Sequence, residues 1–163
     1  MAAPAAEAFT WLAASVLSQA MRASPWLYPV VEIVHIAGFA VLVGSVVLFD
    51  LRVLGCATTL PVSMLGRHLL RWAMASLLFV VPAGLLLFTA HPVELARNPA
   101  FQLKLVLIAG AGLNAVLFHL LPYRGVAGWE RERRAPALAR GQALLSMLLW
   151  LGIIGCGRFI AYL

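Results

Sequence analysis

The sequence predicts an all-α protein, a four-transmembrane-helix up-down bundle with an N-terminal amphipathic interfacial helix. Three observations predict it. Of 163 residues, 63% are hydrophobic and only 11% are charged, with a mean hydropathy of +0.96. Too few charges remain to cover a water-facing surface of this size. Four long apolar stretches, at approximately 27–49, 68–90, 101–121 and 141–163, match the roughly 20 residues needed to cross a bilayer. The basic residues fall unevenly between the two ends of those stretches.

The first element is the amphipathic helix of residues 1–24. Phe9, Leu12, Ala13, Val16, Leu17, Ala20 and Met21 recur at helical spacing, with Ser15, Ser18, Gln19 and Arg22 between them. Such a helix is expected to lie in the membrane interface. It lacks the basic start and unbroken apolar run of a cleaved signal peptide. Pro25 ends it, and Trp26 and Tyr28 anchor the first span at headgroup level. Residues 25–163 then form one four-helix domain. Pro61 and Pro122 punctuate the first and third connections, while Pro82 and Gly84 fall inside the second span, where a kink is expected. Small residues mark the faces on which helices can approach closely: Gly38 and Ser45, Gly110 and Gly112, Gly152, Gly155 and Cys156.

Eight arginines (52, 67, 71, 124, 131, 133, 134 and 140) flank or fill the first and third connections, against Arg22, Arg97, Lys104 and Arg158 towards the other side. This asymmetry places both loops in the cytoplasm and both termini in the periplasm of a bacterial inner membrane. The run from Trp129 to Arg134 reads as a solvated juxtamembrane segment near anionic lipid. The net charge of +6 does not imply nucleic acid, since no folded basic module is present. Cys56 and Cys156 fall on opposite sides of the topology, too far apart for a disulfide. No C-x-x-C, catalytic serine motif, phosphate loop or zinc-protease signature occurs.

Chemistry-bearing residues are few and all four histidines lie in or at the ends of spans. Ionisable groups at membrane depth are costly and therefore candidate functional residues. His35 lies about 12 Å below the entry of the first span, while His91 ends the second. His68 and His119 match each other in depth near the opposite face. Glu32 precedes His35 by one turn on the same helix face, and Lys104 and Arg158 are expected at similar depth. Pairing of Glu32 with Lys104 or Arg158 would fix helix register, or leave a polar pocket open to the outside. Such a pocket suits b-type haem on His35 with Lys104 and Arg158 at the propionates, a quinone head group, a metal ion or an anion. His35, His68 and His119 are the candidate metal ligands, with haem b the leading cofactor. Copper is the alternative, since imidazole and the thioethers of Met74 and Met147 are ligands it favours. A cofactor-free accessory subunit, whose buried charges only set packing, is the third reading. Asn114 is either part of a polar pathway or a helix–helix hydrogen bond. The expected partners are the lipid bilayer, a quinone or redox protein, and a second copy through the glycine-rich faces.

The stretch His35-Ile36-Ala37-Gly38, followed by Gly44 and Asp50-Leu51-Arg52-Val53-Leu54-Gly55, resembles a family of small bacterial four-helix membrane proteins with a D-L-R-x-L-G motif. Asn98-Pro99-Ala100-Phe101-Gln102-Leu103-Lys104 fits the same family, which is broadly similar to the membrane part of copper-resistance D-type proteins. The resemblance implies membrane topology and importance for His35, Asp50, Arg52 and Lys104, without supplying a reaction. Physically, Asp50 and Arg52 read as a helix-end pair that caps or docks the first loop.

Overall fold

The computed structural model describes residues 3–130 and 135–163, with side chains from residue 7 onward. Four helices are long and apolar enough to cross a membrane. They are α3 (Leu27–Leu54), α4 (Val62–Ala90), α6 (Pro99–Leu120) and α8 (Ala137–Phe159). Two helices precede them, α1 (Ala3–Ala13) and α2 (Val16–Ala23), and two short ones lie in the connections, α5 (Pro92–Arg97) and α7 (Val126–Trp129). No strand occurs among the described residues. The terminal face, with both chain ends and α5, lies opposite the loop face, which carries the first and third connections. Exposed side chains on the spans are mostly apolar, among them Ile33, Leu48, Leu78, Val106, Leu113 and Leu148. Lipid is the solvent that tolerates them.

Local signals explain where the helices begin and end. Gly55 follows α3 at φ 113°, a left-handed conformation open to glycine, and its amide donates to the Arg52 carbonyl. The Cys56 amide donates to the Leu51 carbonyl at 2.9 Å, so the freed carbonyls of the last turn are satisfied. Asn98 caps α6: its Oδ1 accepts from the Phe101 amide at 3.1 Å, and Pro99 takes the first helical position. The same side chain donates from Nδ2 to the Ile160 carbonyl at 3.1 Å, tying α6 to the end of α8.

The packing order of the spans is α4–α3–α8–α6. Helix α3 packs on both α4 and α8, and α8 packs on α6. Among the described residues no Cα of α4 comes within 8 Å of one of α6, and the same holds for α3 and α6. The gap between α4 and α6 is bridged at the terminal face by Phe88 and Phe101, stacked at 5.5 Å, with Phe9 edge-on to Phe88. Glycines appear at the tight crossings. A methyl at Gly38 would meet Val80 Cγ2 at 2.9 Å, and one at Gly152 would meet Leu107 Cδ1 at 3.0 Å. Gly110 faces Leu149, whereas Gly112 and Gly155 face open space. Close approach is therefore concentrated in the α3–α4 and α6–α8 pairs.

The N-terminal segment is two helices rather than one. Ser15 interrupts it and caps α2 by accepting from the Ser18 amide at 3.2 Å. Ser18 and Met21 are buried against the rest of the protein, while Trp11, Val16 and Leu17 stay exposed. Arg22 donates to the carbonyls of Ala90 at 2.9 Å and Ala13 at 2.7 Å, clamping α2 to the end of α4. Part of the face expected to meet lipid thus packs on α4.

The third connection also departs from expectation. Trp129 is buried, not solvated, and its Nε1 donates to the Pro122 carbonyl at 2.9 Å. The Glu130 carboxylate accepts from the Ser63 amide at 3.0 Å, in the first turn of α4. That turn has free amides and a partial positive charge, so an anion there is stabilising. Residues 131–134, the rest of the predicted solvated run, lie outside the described residues. Glu130→Ala is expected to cost about 1 kcal/mol, read as an earlier unfolding midpoint on detergent titration. Around this cap a core closes the loop face, built from Phe49, Val53, Val62, Phe118, Trp129, Ala139 and Ala143.

Candidate functional site

His35 projects from α3 against the backbone of α4. Its Nδ1 lies 2.9 Å from the Val80 carbonyl oxygen, to which it donates when that nitrogen carries the proton. The approach depends on Gly84, one turn later on α4: a methyl there would stand 3.0 Å from Cε1 and 3.4 Å from Nδ1. Pro82 lies inside the helix between these two residues. With Nδ1 engaged, Nε2 is left as the lone-pair nitrogen. Among the described residues Nε2 has no partner, and it is not sealed from accessible space. Phe39, one turn on, stacks near the imidazole at 6.3 Å and meets Trp150 of α8 edge-on at 5.9 Å.

Lys104 of α6 is half-buried, and a methyl at Gly157 of α8 would lie 3.8 Å from its Nζ. Lys104 and Glu32 both act electrostatically on His35, although no Cα of α3 comes within 8 Å of one of α6. The expected ion pairs of Glu32 with Lys104 or Arg158 do not form among the described residues. Glu32 is exposed on α3, and α8 is interposed between α3 and α6. Arg158 is also exposed, donating to the Tyr162 hydroxyl at 2.6 Å with its guanidinium 4.9 Å from that ring's centre. The depth reading thus brings Glu32, His35 and Lys104 into one neighbourhood, but matched depth does not make them ion-pair partners.

The remaining candidates lie apart from His35. His68 and His119 are both exposed at the loop face, on α4 and α6, whose backbones stay more than 8 Å apart at every Cα, and no contact joins the two rings among the described residues. His119 Nδ1 is 2.8 Å from the Ala115 carbonyl of its own helix, and its ring packs on Tyr123 at 5.2 Å. His91 ends α4 and lies 3.4 Å from the Glu94 carboxylate. No group of three His, Cys, Asp or Glu side chains converges among the described residues. Met74 is exposed on α4, and both cysteines are free, with Cys156 buried and Cys56 exposed. Asn114 takes the simpler of its two expected roles, donating from Nδ2 to the Gln142 carbonyl of α8 at 3.0 Å.

Arg52 docks the first loop as expected, donating from Nε to the Leu60 carbonyl at 2.6 Å. Asp50 does not share in that contact. It faces α8, where Ser146 is its hydrogen-bonding neighbour. At the terminal face a cavity of about 420 Å³ lies among Tyr28, Leu87, His91, Glu94, Arg97 and Ile160. It was not foreseen, because its walls come from the start of α3, the end of α4, the second connection and the end of α8.

A model of one protein family, described as a family of unknown function (DUF6644), matches residues 8–163. The chain belongs to DUF6644. The match takes in all four spans of this DUF6644 protein and both sides of the His35 neighbourhood. No curated protein and no solved structure matches it. For this DUF6644 chain, function has to be argued from the geometry of the site.

Proposed function

We propose that this integral membrane protein binds b-type haem through His35 and carries electrons within a bacterial inner membrane, with both termini periplasmic. One observation carries the reading: the His35 imidazole is oriented through Nδ1 by a backbone carbonyl while Nε2 stays free. Metal-ligating histidines are commonly held in this way, because a hydrogen bond from the other ring nitrogen fixes the tautomer and raises the basicity of the ligating one. Close packing on Gly84 restricts rotation of the ring. The apolar surroundings of Phe39 and Trp150 suit a macrocycle. Lys104 supplies a cation for a propionate carboxylate.

A bound haem supplies a reversible one-electron couple. The chain's own residues ligate, orient and exclude water. His35 would hold the haem iron through Nε2, while the Val80 carbonyl on Nδ1 and the close approach of Gly84 fix the ring's orientation. The remaining expected contributors fit less well. Arg158 is committed to Tyr162, and exposed His68 and His119 sit at the other face, so the reading rests on a single protein ligand. A redox partner or quinone would approach from the terminal face, where the cavity near His91 and Arg97 opens.

The test is purification from haem-replete cells, followed by an absorption spectrum and haem quantitation per chain. A Soret band with close to one haem per chain is expected. No Soret absorbance, even after haem-supplemented expression, would contradict the proposal. In that case copper bound in the same preparation would favour metal handling, and neither would favour an accessory subunit.

A further inference from the structure

A second polar site lies at the loop-face half of the α3–α8 interface. Asp50 is only 5% exposed and lies four residues from the end of α3, or about 6 Å along its axis. Its Oδ2 is buried and has no hydrogen-bond partner among the described residues. Ser146 of α8, itself buried, is the neutral group that hydrogen-bonds the carboxyl. Gln142 lies one turn before Ser146 on the same face of α8, and its Oε1 is likewise buried without a donor. Two neighbouring helices thus each present a buried oxygen acceptor to which nothing donates among the described residues.

Among the described residues Asp50 lacks a counter-charge as well. Arg52, two residues on, is turned to the carbonyls of Leu60 and Thr58. On α4, Arg67, His68 and Arg71 are exposed, as are His119 on α6 and Arg140 on α8. Glu130 is bonded at the start of α4. Among the described residues no charged side chain acts on Asp50. A buried carboxylate without a counter-charge is strongly unfavourable. A bridging water would satisfy the two acceptors but would leave the charge in place.

We propose that this interface binds a small monovalent cation, a proton or an alkali ion, at the Asp50 carboxylate, with the Ser146 and Gln142 oxygens as neutral donors. A positive charge there would satisfy the orphaned acceptors and offset the carboxylate as well; a packing role does neither, and a water does only the first. Intramembrane carboxyls of this kind mark ion and proton pathways. The site is separate from His35, about 22 Å further along α3, and does not depend on haem being bound.

The experiment uses the full chain in nanodiscs, with and without His35→Ala, so its outcome is independent of the haem reading. Thermal unfolding is compared in sodium, potassium and a bulky organic cation at equal ionic strength, and the infrared carboxyl band is recorded in water and deuterium oxide. For an alkali ion, the expected result is a higher Tm in sodium or potassium that disappears in Asp50→Asn and shrinks in Gln142→Leu. For a proton, it is a deuterium-sensitive protonated-carboxyl band at neutral pH that disappears in Asp50→Asn. Retained helicity in Asp50→Asn separates these losses from misfolding. An unfolding temperature indifferent to the cation, together with no protonated-carboxyl band assignable to Asp50, would overturn the proposal.

Discussion

Gly84→Val is expected to lower haem affinity about 10–100-fold, the range found when an outer-shell partner of a metal ligand is lost. The substitution leaves His35 in place and removes only the space it occupies. A methyl at position 84 already meets the imidazole at 3.0 Å, and valine adds two further carbons at the same point. The ring has to move away from α4, and its 2.9 Å contact with the Val80 carbonyl is lost. Haem titration of the purified apoprotein measures the effect. Gly112→Val serves as the control, because position 112 faces open space and its affinity should equal that of the wild type. Unchanged affinity in Gly84→Val would show that the Val80 carbonyl does not orient the ligating ring.

Phe118→Ala should produce the largest stability loss, about 3 kcal/mol. Phe118 is 6% exposed and sits edge-on to Phe49 at 5.6 Å, with Tyr123 at 5.9 Å. These rings close the loop-face core beneath Trp129. In a bilayer the loss is not one of transfer from water, since lipid tails are as apolar as the protein interior. What disappears is the dispersion contact of the rings around the vacated space. Unfolding by SDS in mixed micelles, followed by helicity, reads this directly. Phe79→Ala, at a lipid-facing position 60% exposed, should change the midpoint little.

The four spans were legible because the bilayer imposes a length and forbids charge, and both constraints are written in consecutive residues. Span order around the bundle was not legible. Chain succession puts α4 next to α6, yet these two stand apart while α3 packs on α8. Matched depth therefore suggested a Glu32–Lys104 ion pair that does not form among the described residues. His35 stood out in the sequence as an intramembrane ionisable group with Gly38 one turn later. Gly84 was read as a kink marker next to Pro82, and its role as the seat of the imidazole needed the crossing of α3 and α4. The Glu130 cap joins residues 67 apart in the chain, so no local pattern announces it. Asp50 and Arg52 looked like a pair from spacing alone. Their side chains part because Arg52 is drawn to the carbonyls of the first loop while Asp50 faces α8.

The ligand role of His35 is tested most directly by an absorption spectrum of His35→Gly protein, recorded before and after adding free imidazole. The account predicts that the Soret band of the wild type is lost in the variant. It also predicts that imidazole restores the band by occupying the space against Gly84 and the Val80 carbonyl. A variant spectrum identical to the wild type, with or without imidazole, would contradict it.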